Sequence, residues 1–200
     1  MAQFVNLNPG SLRELHIGNE RLVSYNVEMT EVTGGTFWKA YTPAQIAGTE
    51  PFVLKGGFLG NATASTDLMQ YYDPIDLSDK KLRKLAKEIG PAWVRVSGTW
   101  STKTYYDFDG HTNGVIPEGY NAILTREQWL GVLDFCKDIG AKLLISVADC
   151  EGLHHADEPW NPSQAEQIFA LSKEYGKAID AAEFVNEPNL LAMSGCPKGY

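Results

Sequence analysis

Three times in this sequence an amphipathic helical stretch stops at a glycine and a short apolar run follows. The first stretch is Ser78–Ile89, with Leu82, Leu85, Ala86 and Ile89 on one face at helical spacing. Gly90 ends it as a left-handed cap, Pro91 forbids continuation, and Ala92-Trp93-Val94-Arg95-Val96 reads as a buried strand. The second opens with Thr125 and Gln128 spaced as a capping box. Its apolar side is Leu130, Val132, Leu133, Cys136 and Ile139; Gly140 closes it, and the strand Lys142–Val147 follows. The third starts at Asn161-Pro162, a cap followed by proline in the first turn. It runs through Ala165, Ile168, Phe169 and Tyr175 to Gly176 and leads to a strand over Ala182–Asn186.

A further strand, Leu22–Glu28, precedes these units. Strands alternating with helices predict βαβ units and a parallel sheet, an α/β fold. The helix-to-strand turns are short, whereas the segments after the strands, 29–73, 98–124 and 148–160, are long, polar and aromatic. That asymmetry predicts a (β/α)8 TIM barrel with one functional face, of which about the first four βα units are present. The runner-up is a doubly wound open sheet, but neither GxGxxG nor GxxxxGK[ST] follows any strand, so nucleotide binding has no support. Residues 1–20 fit no βα unit. They are read as an N-terminal extension contributing a strand to an accessory β-sandwich, and 21–200 as the N-terminal half of the barrel. A whole barrel takes about 250 residues, so the C-terminal half of the same barrel is expected as a partner, either further along a longer polypeptide or as the second chain of a split barrel.

Seventeen basic against 25 acidic residues, a formal charge of −8, argue against broad nucleic-acid binding. No apolar run approaches the ~20 residues of a membrane span. Cys136, Cys150 and Cys196 lack CxxC spacing and read as small buried thiols. His154 and His155, in the segment Asp149–Glu158, are adjacent and share no helix face, and there is no HExxH. Neither a metal nor a cofactor is therefore expected, and the segment reads as a loop lining the cleft.

The strand ends gather the polar residues. Asn26 and Glu28 end the first strand, Ser97-Gly98-Thr99-Trp100 follow the second, Asp149 follows the third, and Asn186-Glu187 end the fourth. In one barrel these converge on one mouth, giving carboxylates, amides, a hydroxyl and an indole, the kind of set that glycoside hydrolysis uses. Taken on spacing alone, Asn186 and Glu187 equally suit the cap of a following helix.

Phe184-Val185-Asn186-Glu187-Pro188-Asn189 is more specific. It resembles the Asn-Glu-Pro signature of the retaining (β/α)8 glycosidase clan. Trp93-Val94-Arg95-Val96-Ser97-Gly98-Thr99 further resembles the strand-two motif of the heparanase and β-glucuronidase family, glycoside hydrolase family 79, with Ser97 in place of the usual first glycine. The likeness covers roughly residues 20–190. It implies a β-glycosidase acting on glucuronides or glucuronic-acid-containing glycans, with Glu187 as general acid/base and Asn186 on the sugar 2-hydroxyl. It further implies Thr99, Glu28 and Asn26 as contacts in the −1 subsite, although Asn26 and Glu28 depart from the Asp-x-Asn pattern of some members. Asp149 is read as the part of its loop that faces the cleft. Trp100, Tyr105 and Tyr106 suit either aglycone walls or loop aromatics covering the barrel, and Arg95 suits a buried structural pairing better than a sugar contact. The nucleophile, a glutamate ending strand seven, is expected beyond residue 200. Two alternatives stay open: a same-clan enzyme for a glucoside, xyloside or galactoside, and a carbohydrate-binding fragment without activity. The resemblance implies export, while Met1–Asn6 begins no signal peptide and suits a cytoplasmic protein equally.

Overall fold

The structure, a computed structural model, describes residues 5–6, 8–18, 20–51, 69–154 and 159–190. Four strands form a parallel sheet: β1 (Val23–Glu28), β4 (Ala92–Ser97), β7 (Lys142–Ser146) and β8 (Ala181–Glu183), hydrogen-bonded in the order β1-β4-β7-β8. This is chain order without reversal, the order of a singly wound sheet; a doubly wound sheet reverses at a switch point. Three helices connect the strands: α3 (Lys80–Ile89), α5 (Arg126–Asp138) and α6 (Ser163–Glu174). The mixed α/β architecture with a parallel sheet is therefore as expected, and it is compatible with part of a barrel.

The local rules act where the sequence placed them. Thr125 Oγ1 accepts from Gln128 N at 3.2 Å, and Gln128 Oε1 accepts from Thr125 N at 2.9 Å, closing the capping box of α5. Gly90 ends α3 at φ 94°, a conformation that L side chains rarely adopt. Side chains alternate across the sheet with period two. Val94, Val96, Leu143 and Ile145 are at most 1% exposed and join Trp129, Leu133 and Ile168 of the helices in one core. Burying one such side chain stabilises the fold by about 1.5–3 kcal/mol. Trp129 satisfies its only polar atom there by donating from Nε1 to Ser172 Oγ at 2.9 Å, which joins α5 to α6. The opposite face carries Asn26, Glu28, Arg95, Ser97, Ser146 and Glu183 toward the carboxyl ends of the strands, alongside Trp93 and Leu144.

Several boundaries differ from expectation. The fourth strand stops at Glu183 rather than Asn186: among the described residues β8 pairs only with β7, and that ladder ends at Ser146↔Glu183. Helix α6 begins at Ser163, and Asn161 Oδ1 accepts from Ser163 N at 2.9 Å as an Asx turn ahead of Pro162, instead of capping the helix directly. The described part of 1–20 holds a 3-10 turn at Pro9–Ser11 and no strand. On α3 the apolar stripe is only half covered: Ala86 is buried and Leu82 packs on the core, but Leu85 and Ile89 are 49% and 53% exposed. Arg83 and Lys87 bond Asp138 of α5 from the other flank. At about 100° per residue Leu85 is the stripe member farthest round from that flank.

Two small pairs were not anticipated within the long connections. Strands β2 (Gly35–Trp38) and β3 (Met69–Tyr72) pair antiparallel, while β5 (Thr104–Asp107) and β6 (Ala122–Thr125) pair parallel. Short helices α1 (Met29–Thr33), α2 (Pro43–Ile46) and α4 (Thr99–Thr102) complete these connections. No helix among the described residues is long and apolar enough to cross a membrane. Cys136 and Cys150 are both buried; Cys196 and His155 lie outside the described residues.

Candidate active site

The parallel register sets the site. Asn26 lies beside Arg95 and Glu28 beside Ser97, so β1 and β4 present these side chains on the same polar face at the carboxyl end of the sheet. Gly98 turns β4 into α4 at φ 95° and brings Thr99, 8% exposed, to the mouth. Past β8 the chain leaves extended geometry, and Glu187 adopts φ 51°, a left-handed conformation that is uncommon outside glycine.

Arg95 organises this face. Its Nη1 donates to Asn26 Oδ1 at 2.7 Å, and its Nη2 donates to Asn186 Oδ1 at 3.0 Å and to Glu183 Oε1. Ser97 Oγ also donates to Asn26 Oδ1, at 3.2 Å, and Ser146 Oγ donates to Glu183 Oε1. Both amides therefore turn their oxygens to the guanidinium and their NH2 groups outward, each toward a carboxylate. Asn26 Nδ2 donates to Glu28 Oε1 at 3.0 Å. Asn186 Nδ2 stands 3.4 Å from Glu187 Oε2 and from Thr99 Oγ1, and Thr99 Oγ1 donates to Glu187 Oε2 at 3.3 Å. One continuous network thus links Glu28 to Glu187 through Asn26, Arg95 and Asn186.

Glu28 is half-buried, and desolvation raises its pKa above the ordinary carboxylate range. The Asn26 hydrogen bond and the Arg95 charge oppose that rise, while Glu31 and Glu187 add to it. Glu187 is exposed to solvent, where a ligand can reach it.

Of the residues singled out in the sequence, Glu187, Asn186, Thr99, Glu28 and Asn26 come together in this network. Trp100 sits at the same strand end with its ring edge-on to Phe37, centroids 5.0 Å apart. Asp149 is fully buried, and its Oδ1 lies 2.6 Å from His154 Nε2, so it faces that histidine instead of the cleft expected for it. Tyr106 is also fully buried and walls no cleft, and burial drives its pKa upward. Tyr105 is half-buried and packs edge-on against Tyr120. The sequence reading missed Glu183. Its signal was a lone carboxylate in an apolar strand, matching the lone cation Arg95 in another; two isolated opposite charges on one sheet face tend to pair.

No protein-family model matches the chain, and no curated protein matches it.

Proposed function

We propose that this chain provides the acid/base half of a retaining glycoside hydrolase site in a (β/α)8 barrel, acting on β-glucuronides or glucuronic-acid-containing glycans. The observation that carries the reading is Glu187, solvent-exposed at the carboxyl end of a parallel sheet, with Asn186 and Thr99 donating toward its carboxylate. The unreversed strand order and the uncovered flank of α3 suit a ring that continues past β8, the C-terminal half of the same barrel supplying the nucleophile glutamate from beyond residue 200. The uronate preference rests on the resemblance of Trp93–Thr99 to the family motif.

In this mechanism the nucleophile attacks the anomeric carbon while protonated Glu187 gives its proton to the departing glycosidic oxygen. Glu187, now a carboxylate, takes a proton from the water that attacks the glycosyl-enzyme ester, which releases the sugar and restores both groups. Thr99 and Asn186 fix the carboxylate between the two steps, and the left-handed backbone at Glu187 aims it.

The test uses the complete barrel polypeptide with Glu187→Gln. Turnover of glycosides with poor leaving groups is expected to vanish, while activated aryl glycosides retain far more, because they depart without a proton. Equal losses on both classes overturn the acid role. Cleavage of an aryl glucoside but not an aryl glucuronide moves the reading to a neutral sugar.

A further inference from the structure

The loop that leaves β5 carries a second cluster, separate from the network around Glu187. It reads Asp107-Phe108-Asp109-Gly110-His111-Thr112. One ligand atom each from Asp107, Asp109 and His111 lies within 4.8 Å of the other two. The Asp107 side chain is only 5% exposed. Its Oδ2 accepts from Thr112 Oγ1 at 2.5 Å, but its Oδ1 is buried and accepts no hydrogen bond among the described residues. That oxygen looks onto His111 Nδ1 at 3.3 Å. A buried carboxylate oxygen without a donor is costly unless a cation compensates it.

We propose that Asp107, Asp109 and His111 bind a divalent transition-metal ion of the Zn2+ class. One imidazole nitrogen with two carboxylate oxygens suits Zn2+, whereas Ca2+ and Mg2+ are held by oxygen alone. Two ligands about 2.05 Å from a tetrahedral ion stand ~3.3 Å apart. Asp107 Oδ1 and His111 Nδ1 already have that separation. Asp109 Oδ1, at 2.5 Å from the same nitrogen, moves outward by under ~1 Å to complete the set, and as an exposed side chain it is free to do so. The other ring nitrogen, Nε2, lies 3.2 Å from the Tyr105 hydroxyl. A ligating histidine is oriented by such a partner, here with Nε2–H donating to the phenol oxygen. Binding exchanges the Nδ1 proton for the metal, pins the start of the β5–β6 connection and leaves a coordination position for water.

The test is titration of the metal-free complete polypeptide with ZnCl2 by calorimetry, alongside thermal unfolding with and without the ion. One Zn2+ per chain and a raised Tm are expected, with no comparable effect of CaCl2. His111→Gln and Asp109→Asn change exposed side chains, so the fold is retained, which far-UV circular dichroism checks; each is expected to weaken Zn2+ binding at least about tenfold. Tyr105→Phe is expected to cost about 10-fold through ring orientation alone. No saturable Zn2+ binding, or binding unchanged in His111→Gln, overturns the site and leaves the three groups as an ion-paired loop. None of these readouts depends on glycosidase activity.

Discussion

The Glu28 carboxylate occupies the space that a side chain on Gly98 would need: a Cβ there would lie 1.6 Å from Glu28 Oε2. Gly98 also sits at φ 95°. Gly98→Ala therefore meets two obstacles, backbone strain and displacement of Glu28, and is expected to destabilise the chain by about 1–3 kcal/mol in urea denaturation. Truncating the carboxylate removes the second obstacle only. The double variant Glu28→Ala/Gly98→Ala should then be more stable than the sum of the two single changes predicts, by about 0.5–3 kcal/mol. Strict additivity would show that Glu28 moves aside at no cost.

Arg95 ties three strands by donating to Asn26, Glu183 and Asn186. Arg95→Lys keeps the charge but replaces a planar fork with a point donor, and it frees both amides to flip. A loss of about 1–3 kcal/mol is expected, toward the lower end because Arg95 and Glu183 are 32% and 31% exposed. A double-mutant cycle with Arg95→Met and Glu183→Gln isolates the ion pair. A coupling energy within about 0.5 kcal/mol of zero contradicts the pairing.

These two residues also show where the sequence was legible. Helix ends were written in local chemistry: Gly90 and the Thr125–Gln128 box act within a few residues of themselves, and the structure uses both. Asn26, Glu28, Thr99, Asn186 and Glu187 were readable as strand ends, and parallel register brings strand ends together. Glu183 was missed as a site residue: its lone charge was visible, but its meaning comes from pairing with an arginine 88 residues away. The β2–β3 and β5–β6 pairs were hidden for the same reason: pairing across a long aromatic connection leaves no period in either segment. Asp149 followed a strand like the others, but its histidine partner turned it inward.

Glu28 gives the fold a pH signature. Desolvation raises its pKa in the folded state above the ordinary 4.5. A carboxyl with a higher folded than unfolded pKa holds more protons when folded, so raising the pH removes stability. The contribution is fully present below 4.5 and lost as pH rises through the folded value. Glu28→Gln deletes this titration and leaves the other groups in place. The stability of the wild type relative to Glu28→Gln should fall as the pH rises above 4.5, read from urea midpoints at a series of pH values. A flat difference would mean that Asn26 and Arg95 cancel the burial, and a rising one that they exceed it.

Glu187 combines a rare backbone conformation with long side-chain hydrogen bonds, 3.3 Å to Thr99 and 3.4 Å to Asn186. The bonds are too stretched to offset much strain. A non-glycine residue in the left-handed region costs roughly 1–2 kcal/mol, and glycine escapes that cost. Replacing Glu187 by alanine keeps the strain and deletes the bonds, whereas replacing it by glycine deletes both. Glu187→Gly is therefore expected to exceed Glu187→Ala in stability by about 1 kcal/mol, although glycine is the more flexible residue and ordinarily the less stabilising one. If Glu187 is the acid/base, both variants are equally unable to cleave poor leaving groups, so the glycine variant separates the strain from the chemistry. An alanine variant at least as stable as the glycine one would mean that the backbone at Glu187 is relaxed, and that the carboxylate is aimed by Thr99 and Asn186 alone.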